Sequence, residues 1–165
     1  MAKRKPLVAI VMGSDSDLPI MKEASKALSD FSVAFEIKIL SAHRSPALVT
    51  KFAGSAANRD IKVIIAGAGG AAHLAGVIAS HTNLPVIGVP IESKYLKGID
   101  SLFSTVQMPG GVPVSCMSIG RSGAKNAAIT ALQILGLTNK SIQRRLKAFR
   151  KDLVKSIKMK NKRLR

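Results

Sequence analysis

His43 and Arg44 stand side by side in the run Ser41-Ala42-His43-Arg44-Ser45-Pro46. An imidazole can move protons near neutral pH, and a guanidinium can fork onto a phosphate. The alternating run from Val33 to Leu40 precedes them with the period of a strand, and Pro46 follows at a position favoured in the first turn of a helix. The pair therefore sits on a strand-to-helix turn, where ligands collect in open α/β sheets. Alone, it would read more readily as a surface turn that happens to hold a His and an Arg. Two other turns shift that balance. Gly13-Ser14-Asp15-Ser16-Asp17 brings hydroxyls and carboxylates to the start of a helix, whose unpaired N–H groups suit an anion or a sugar. Asp15 and Asp17 are also ordinary helix-capping residues; because a carboxylate repels phosphate, the ligand role that suits one of them is a sugar hydroxyl. Gly67-Ala68-Gly69-Gly70-Ala71-Ala72-His73 suggests a turn where backbone comes close to a ligand, with His73 one step into the next helix. His73 could equally be a core or interface histidine.

These turns need strands to hold them. Leu7–Met12 is a continuous apolar run, as in a strand covered on both faces. Further strands are expected over Val33–Leu40, Ile61–Ala66, Val86–Pro90 and Val114–Ile119. Helices are expected from Leu18 onward with apolar positions at Met21, Ala24, Ala27 and Leu28, then over 46–57, 71–80, 99–106 and 124–136. Met108–Pro113 is too rich in Pro and Gly for regular structure. A last helix, 140–157, capped by Asn139 or Ser141, carries an apolar stripe at Ile142, Leu146, Phe149, Leu153 and Ile157. Strand and helix alternate throughout, so the expected fold is α/β: a three-layer, doubly wound parallel sheet with an extra C-terminal helix. The carboxyl ends of the first three strands then gather loops 13–17, 41–46 and 67–73 at one edge.

Composition narrows the choices. At 165 residues one domain is expected, here 1–158 with a basic tail over 159–165, and folding buries roughly 70% of the unfolded surface at this size. A single cysteine, Cys116, no secretory pattern and no apolar run near the ~20 residues of a membrane span point to a cytoplasmic protein without membrane attachment. Cys116 is expected to be buried packing and His81, at a helix C-terminus, structural. The formal charge of +17 would suggest nucleic acid, but 12 of the 26 Lys and Arg lie in residues 140–165, opposed there only by Asp152. With no Trp and one Tyr, a base-stacking platform is not expected, and the charge reads as a solvated terminal helix without a nucleic-acid partner. One Cys and three scattered His make no metal-ligand set. The run 67–72 matches G-x-G-x-x-G/A with Glu92 further on, which leaves a dinucleotide-binding module as an alternative. That fingerprint, however, belongs after a first strand, and this one follows the third. Ser14, His43 and Asp17 could be drawn as a triad, yet no nucleophile elbow is present. The chemistry that remains is proton shuttling on a small phosphorylated ligand.

Four motifs together resemble the 5-(carboxyamino)imidazole ribonucleotide mutase family of purine biosynthesis. They are Gly13-Ser14-x-Ser16-Asp17, Ser41-Ala42-His43-Arg44-x-Pro46, Gly67 through Leu74, and Gln107 through Val114, and the likeness runs over about residues 7–137. The resemblance implies a flavodoxin-like subunit in a homo-octamer, with the C-terminal helix reaching onto a neighbour. It implies a ribonucleotide substrate, with Arg44 on the phosphate, Asp17 on the ribose hydroxyls and Ser14 beside them. Ser16, Ser41, Gly69 and Gly70 would line the same pocket, and His73 would position the imidazole ring. His43 would be the general acid and base that moves a carboxylate from the exocyclic nitrogen to a ring carbon through carbon dioxide, with no cofactor and no metal. A sister class carboxylates the aminoimidazole ribonucleotide directly and is the alternative; it typically carries Lys in place of Arg44 and lacks the glycine-rich run. Two departures stand out here: Ala75 where Pro often follows Leu74, and Ser45 where Thr is usual.

Overall fold

The structure is a computed structural model and describes residues 5–164. Residues 1–4 and 165, at the two ends of the expected domain and tail, lie outside the described residues. Five strands, β1 (Val8–Met12), β2 (Phe35–Ile39), β3 (Val63–Gly69), β4 (Val86–Ile91) and β5 (Ser115–Cys116), form one parallel sheet in the order β2-β1-β3-β4-β5. That is a flavodoxin-like order, with its topological switch at β1 and β3. The helices are α1 (Leu18–Asp30), α2 (Pro46–Ala56), α3 (Leu74–Ala79), α4 (Ile99–Val106), α5 (Arg121–Gly136) and α6 (Lys140–Lys162). The chain divides into a unit ending at Ala131 and a second from Leu132 onward.

In the first unit every residue of β1 is buried, which is why that run shows no alternation. One face of the sheet packs Ala9, Val11, Ile64 and Ala66 against Val49, Phe52 and Ala53 of α2 and Leu74 and Ile78 of α3. Met21, Ala24 and Leu28 of α1 are buried too, and Ala124, Ala127, Ala128 and Ala131 on the amino-terminal part of α5 are wholly so. As the edge strand, β2 is only half covered; Glu36 pairs there with Arg59, whose guanidinium lies over the Phe52 ring.

The elements fall close to where the sequence places them, with informative exceptions. Strand β3 runs on to Gly69, three residues past the expected end, because Gly67, Ala68 and Gly69 pair with Val89, Pro90 and Ile91. Two of the glycines thus belong to the sheet. At Gly67 an added Cβ would fall 2.4 Å from Met21 Sδ and 3.1 Å from Ile91 Cδ1, so this glycine admits α1 against β3. The turn proper begins at Gly70, whose φ of +64° favours a residue without Cβ, and α3 is correspondingly short. Strand β5 has two residues where six were expected; beyond Cys116 only isolated bonds continue, from Met117 N to Gly88 O and from Gly120 N to Pro90 O. An edge strand lacks a second partner to keep it extended. Cys116 is half-buried, and burial pushes its thiol up from the usual range.

In the second unit Asn139 caps α6, its Oδ1 accepting from Ser141 N at 3.0 Å and Ile142 N at 3.1 Å. This helix continues five residues beyond 157, through most of the expected tail, since Lys, Met and Asn there carry no helix-breaking feature and Lys and Met are good formers.

The close approach at Gly67 is testable. Gly67→Ala should destabilise the fold by about 1–3 kcal/mol through overpacking against buried Met21. Thermal unfolding should register that as about 2–4 °C per kcal/mol. An unchanged melting temperature would show that Met21 withdraws freely.

Candidate active site

The three chemistry-bearing loops leave the carboxyl ends of β1, β2 and β3, and backbone bonds hold them level: Leu40 N donates to Met12 O at 2.8 Å and Gly13 N to Gly67 O at 3.2 Å. Each loop is then braced by its own small polar residues. After β1 a single 3-10 turn, Asp15–Asp17, is closed by a capping box: Ser14 N donates to Asp17 Oδ2 at 3.0 Å, while Ser14 Oγ accepts from Ser16 N. Asp17 is 8% exposed. Burial raises its carboxyl above the ordinary 3.8, opposed by backbone N–H bonds from Ser14 and Gly13 and by the nearby Arg44 charge. The capping role and the cavity-facing role fall on one carboxylate.

After β2, Ser45 Oγ donates to Ser41 O and accepts from Ser41 N, both at 3.0 Å, which ties the ends of the His-Arg loop together. Ser41 Oγ in turn accepts from Arg44 N at 3.2 Å and Arg44 Nε at 3.3 Å. Arg44 Nη2 donates to the Gly13 carbonyl at 2.9 Å and so bridges to the first loop. A guanidinium has five N–H groups; with two of them engaged, three remain for a phosphate. After β3, Ala72 N donates to Ser104 Oγ of α4 at 3.0 Å, fixing the turn that presents His73.

The loops meet at two imidazoles. His43 Nε2 lies 2.8 Å from His73 Nδ1, with the rings edge to face at 86°. One ring must donate and the other accept. When His43 is the imidazolium, its Nε2–H points at His73 and its Nδ1–H is left to transfer.

A cavity of about 430 Å³ opens among these loops, within the size range of small-molecule sites. Ser14, Ser16, Asp17, Ser41, His43, Arg44, Gly69 and Gly70 all line it. His73 does not; it meets His43 instead. The walls also include Glu92, named in the sequence only as the acidic residue after the glycine fingerprint, and Ser93, to which the sequence assigned no ligand role. Their signal was available, since they directly follow the carboxyl end of β4. Glu92 pairs loosely with Lys97 at 3.7 Å, and Ser93 Oγ donates to Asp100 Oδ1 at 2.7 Å, which holds the Asp100 carboxyl below its usual range. A larger cavity, about 950 Å³, lies at the opposite, amino-terminal edge beside Val86 and Ser115. The His81 at its rim is occupied structurally, by Ser80 Oγ and Val77 O at Nδ1 and by Thr50 Oγ1 at Nε2. Among the described residues no group of three or more His, Cys, Asp or Glu could hold a metal ion, and no helix is long and apolar enough to cross a membrane.

A flavodoxin-like sheet thus carries, along the carboxyl edge of its strands, one cavity lined by an imidazole and a guanidinium with N–H groups to spare, the architecture of an α/β protein with a small-molecule site. The AIR carboxylase family pattern matches residues 7–156, and the chain belongs to that family. It is 56% identical over 164 residues to the N5-carboxyaminoimidazole ribonucleotide mutase of Pyrococcus horikoshii, covering 99% of this chain and 92% of that protein. To the same-named protein of Thermotoga maritima it is 52% identical over 159 residues, 96% of this chain and 92% of the other. The crystal structure of Treponema denticola PurE superposes with a TM-score of 0.87 at 27% identity, over 97% of this chain and 99% of that one.

Asp17 yields a prediction with a definite sign. A carboxyl raised in the folded state holds its proton more tightly there than in the unfolded chain. Its contribution to stability is therefore lost as pH rises through the range just above 3.8. Asp17→Asn keeps an acceptor for Ser14 N without the buried charge. Denaturant melts across that range should show the variant gaining on the wild type as pH rises. A constant difference between the two would contradict the assignment.

Proposed function

We propose that the chain is an isomerase of purine biosynthesis, converting 5-carboxyamino-1-(5-phosphoribosyl)imidazole to 5-amino-1-(5-phosphoribosyl)imidazole-4-carboxylate. The observation that carries this is the placement of His43 and Arg44 on one cavity wall, with His43 backed by His73 at 2.8 Å, in a chain whose relatives bear the mutase name. The free N–H groups of Arg44 take the phosphate, Asp17 the ribose hydroxyls, and Ser14, Ser16, Ser41, Gly69 and Gly70 complete the pocket. His43 protonates the exocyclic nitrogen as its bond to the carboxylate breaks and carbon dioxide leaves. The ring carbon then attacks the held carbon dioxide, and neutral His43 removes the proton from that carbon. The imidazolium is restored, so the cycle closes without metal, cofactor or nucleotide hydrolysis. His73 serves this cycle by keeping one nitrogen of His43 occupied and the ring in place, which in turn sets the imidazole of the substrate against it. Direct carboxylation of the aminoimidazole, the sister reaction, is disfavoured by Arg44 and the intact run 67–73.

We place the enzyme in the cytoplasm as a homo-octamer of one mutase domain, 1–158, with α6 lying on a neighbouring subunit. The oligomer is supported by exposed apolar stripes that water would not favour: Ile99, Phe103 and Val106 on α4, and Leu153 and Ile157 on α6.

The function is tested by mixing the protein with the carboxyamino substrate without ATP, metal or added bicarbonate; isomerisation is expected, and its absence would refute the reading. Within that assay His43→Asn should lower kcat by about 10²-fold or more with folding and ligand binding retained, as removal of a general acid–base requires. His73→Gln should lower kcat by less and leave KM nearly unchanged.

A further inference from the structure

The extension of α6 through Lys162 exposes a regularity that the run of charges hides in the linear sequence. Lys140, Arg144, Lys147, Lys151, Lys155, Lys158 and Lys162 recur at intervals of three or four. At 100° per residue all seven fall within an arc of about 80°. All seven are exposed, and none joins an ion pair among the described residues. The apolar stripe Ile142, Leu146, Phe149, Leu153 and Ile157 is centred about 160° away, and Asp152 lies about 100° from the middle of the basic arc. The helix is therefore two-sided, with an apolar edge suited to protein and an opposite edge of cations about 5.5 Å apart along roughly 34 Å.

A solvated face would interleave acids with bases, as exposed helices do for i, i+4 support. Seven like charges in one row instead repel one another, and a dense polyanion lying along the row would relieve that repulsion. The proposed substrate, a small ribonucleotide, cannot span them. We infer that this row docks on the phosphate backbone of a duplex nucleic acid, without reading its sequence. Duplex DNA presents one charge per about 1.7 Å of axis, and each phosphate neutralised releases counterions. Two features favour this partner over a membrane. A helix lying in a bilayer buries its apolar stripe, and here that would turn the seven cations away from the lipid headgroups. The basic arc also contains no apolar or aromatic side chain, which excludes base stacking and leaves the backbone as the contact. The inference sets aside the expectation of no nucleic-acid partner, which rested on the linear charge run and on the scarcity of aromatics for base stacking, a contact that backbone docking does not need. It is independent of the proposed isomerase chemistry.

The test is fluorescence anisotropy of the full chain with a labelled mixed-sequence duplex of about 20 base pairs, two helical turns, titrated between about 50 and 200 mM salt. Binding is expected with a Kd of about 10⁻⁴–10⁻⁶ M near physiological salt, and log Kobs should fall with log salt at a slope of about −4 to −6, for five or six phosphates. A second sequence should bind alike. Replacing Lys151, Lys155 and Lys158 together by Gln should flatten the slope by about 2.7. The same three changed to Arg should bind as the wild type does. Neutralising three charges off the row, Arg150, Lys160 and Arg163, should alter the slope far less. Isomerase activity and helicity by circular dichroism should be unchanged in every variant. No binding at the lowest salt, or equal effects from the on-row and off-row triples, overturns the inference. Tighter co-sedimentation with phosphatidylglycerol vesicles than binding to duplex overturns it as well and assigns the helix to a membrane.

Discussion

Strand β1 is hydrogen-bonded on both sides, and the rest of the site depends on that. Met12 stands opposite Ile39 on one side and Gly67 on the other, so β1 and β2 end at one height and β3 runs two residues further, to Gly69. Right-handed crossovers send the helices after β1 and β3 to opposite faces of the sheet, and the loops between strand and helix part over a crevice. A one-residue slip in either pairing would turn every core side chain of a strand to the wrong face, so the register is strongly specified by burial. Gly67 eases the same packing, since a Cβ there would meet the end of the Met21 side chain on α1. Catalytic geometry here follows from packing beneath it.

Within that frame the small polar residues divide the labour. Ser14 and Asp17, Ser41 and Ser45, and Ser104 with Ala72 each close a loop on itself or onto a helix. This leaves His43 and Arg44, beside the carboxylates of Asp17 and Glu92, to face the cavity with hydrogen-bonding capacity to spare. Such bracing of the groups around a reacting centre lets a single imidazole serve as acid and then base without the site rearranging between steps.

Much of this was legible in the sequence. Strands buried on both faces announce themselves as unbroken apolar runs, and Pro46 and Asn139 mark helix starts through local chemistry. That loops 13–17, 41–46 and 67–73 share an edge follows from strand-end loops in a parallel sheet, whereas Ser16, Ser41, Gly69 and Gly70 were picked out as pocket residues through the family resemblance. What stayed hidden was tertiary. Whether Gly67 and Gly69 turn or pair depends on how far β4 extends beside them, which no local pattern states. That His73 meets His43 rather than the cavity depends on the Gly70 turn and on Ser104, 31 residues away from His73 in the chain. The Ser45 hydroxyl reads as an incidental loop residue until its reciprocal bonds to Ser41 are seen. The two-sidedness of α6 likewise needs the helix to run through Lys162 before the row of cations lines up.

The central claim is that carbon dioxide is held between leaving nitrogen and joining carbon. Substrate labelled in its carboxylate, converted in unlabelled bicarbonate buffer, tests it most directly. Holding the two reactants together corresponds to effective molarities of about 10⁵ M or more, against which dissolved carbon dioxide competes poorly. The account predicts that most of the label appears in the product carboxylate from the first turnovers. Product that matches the unlabelled pool at the earliest time points would contradict it and point to direct carboxylation.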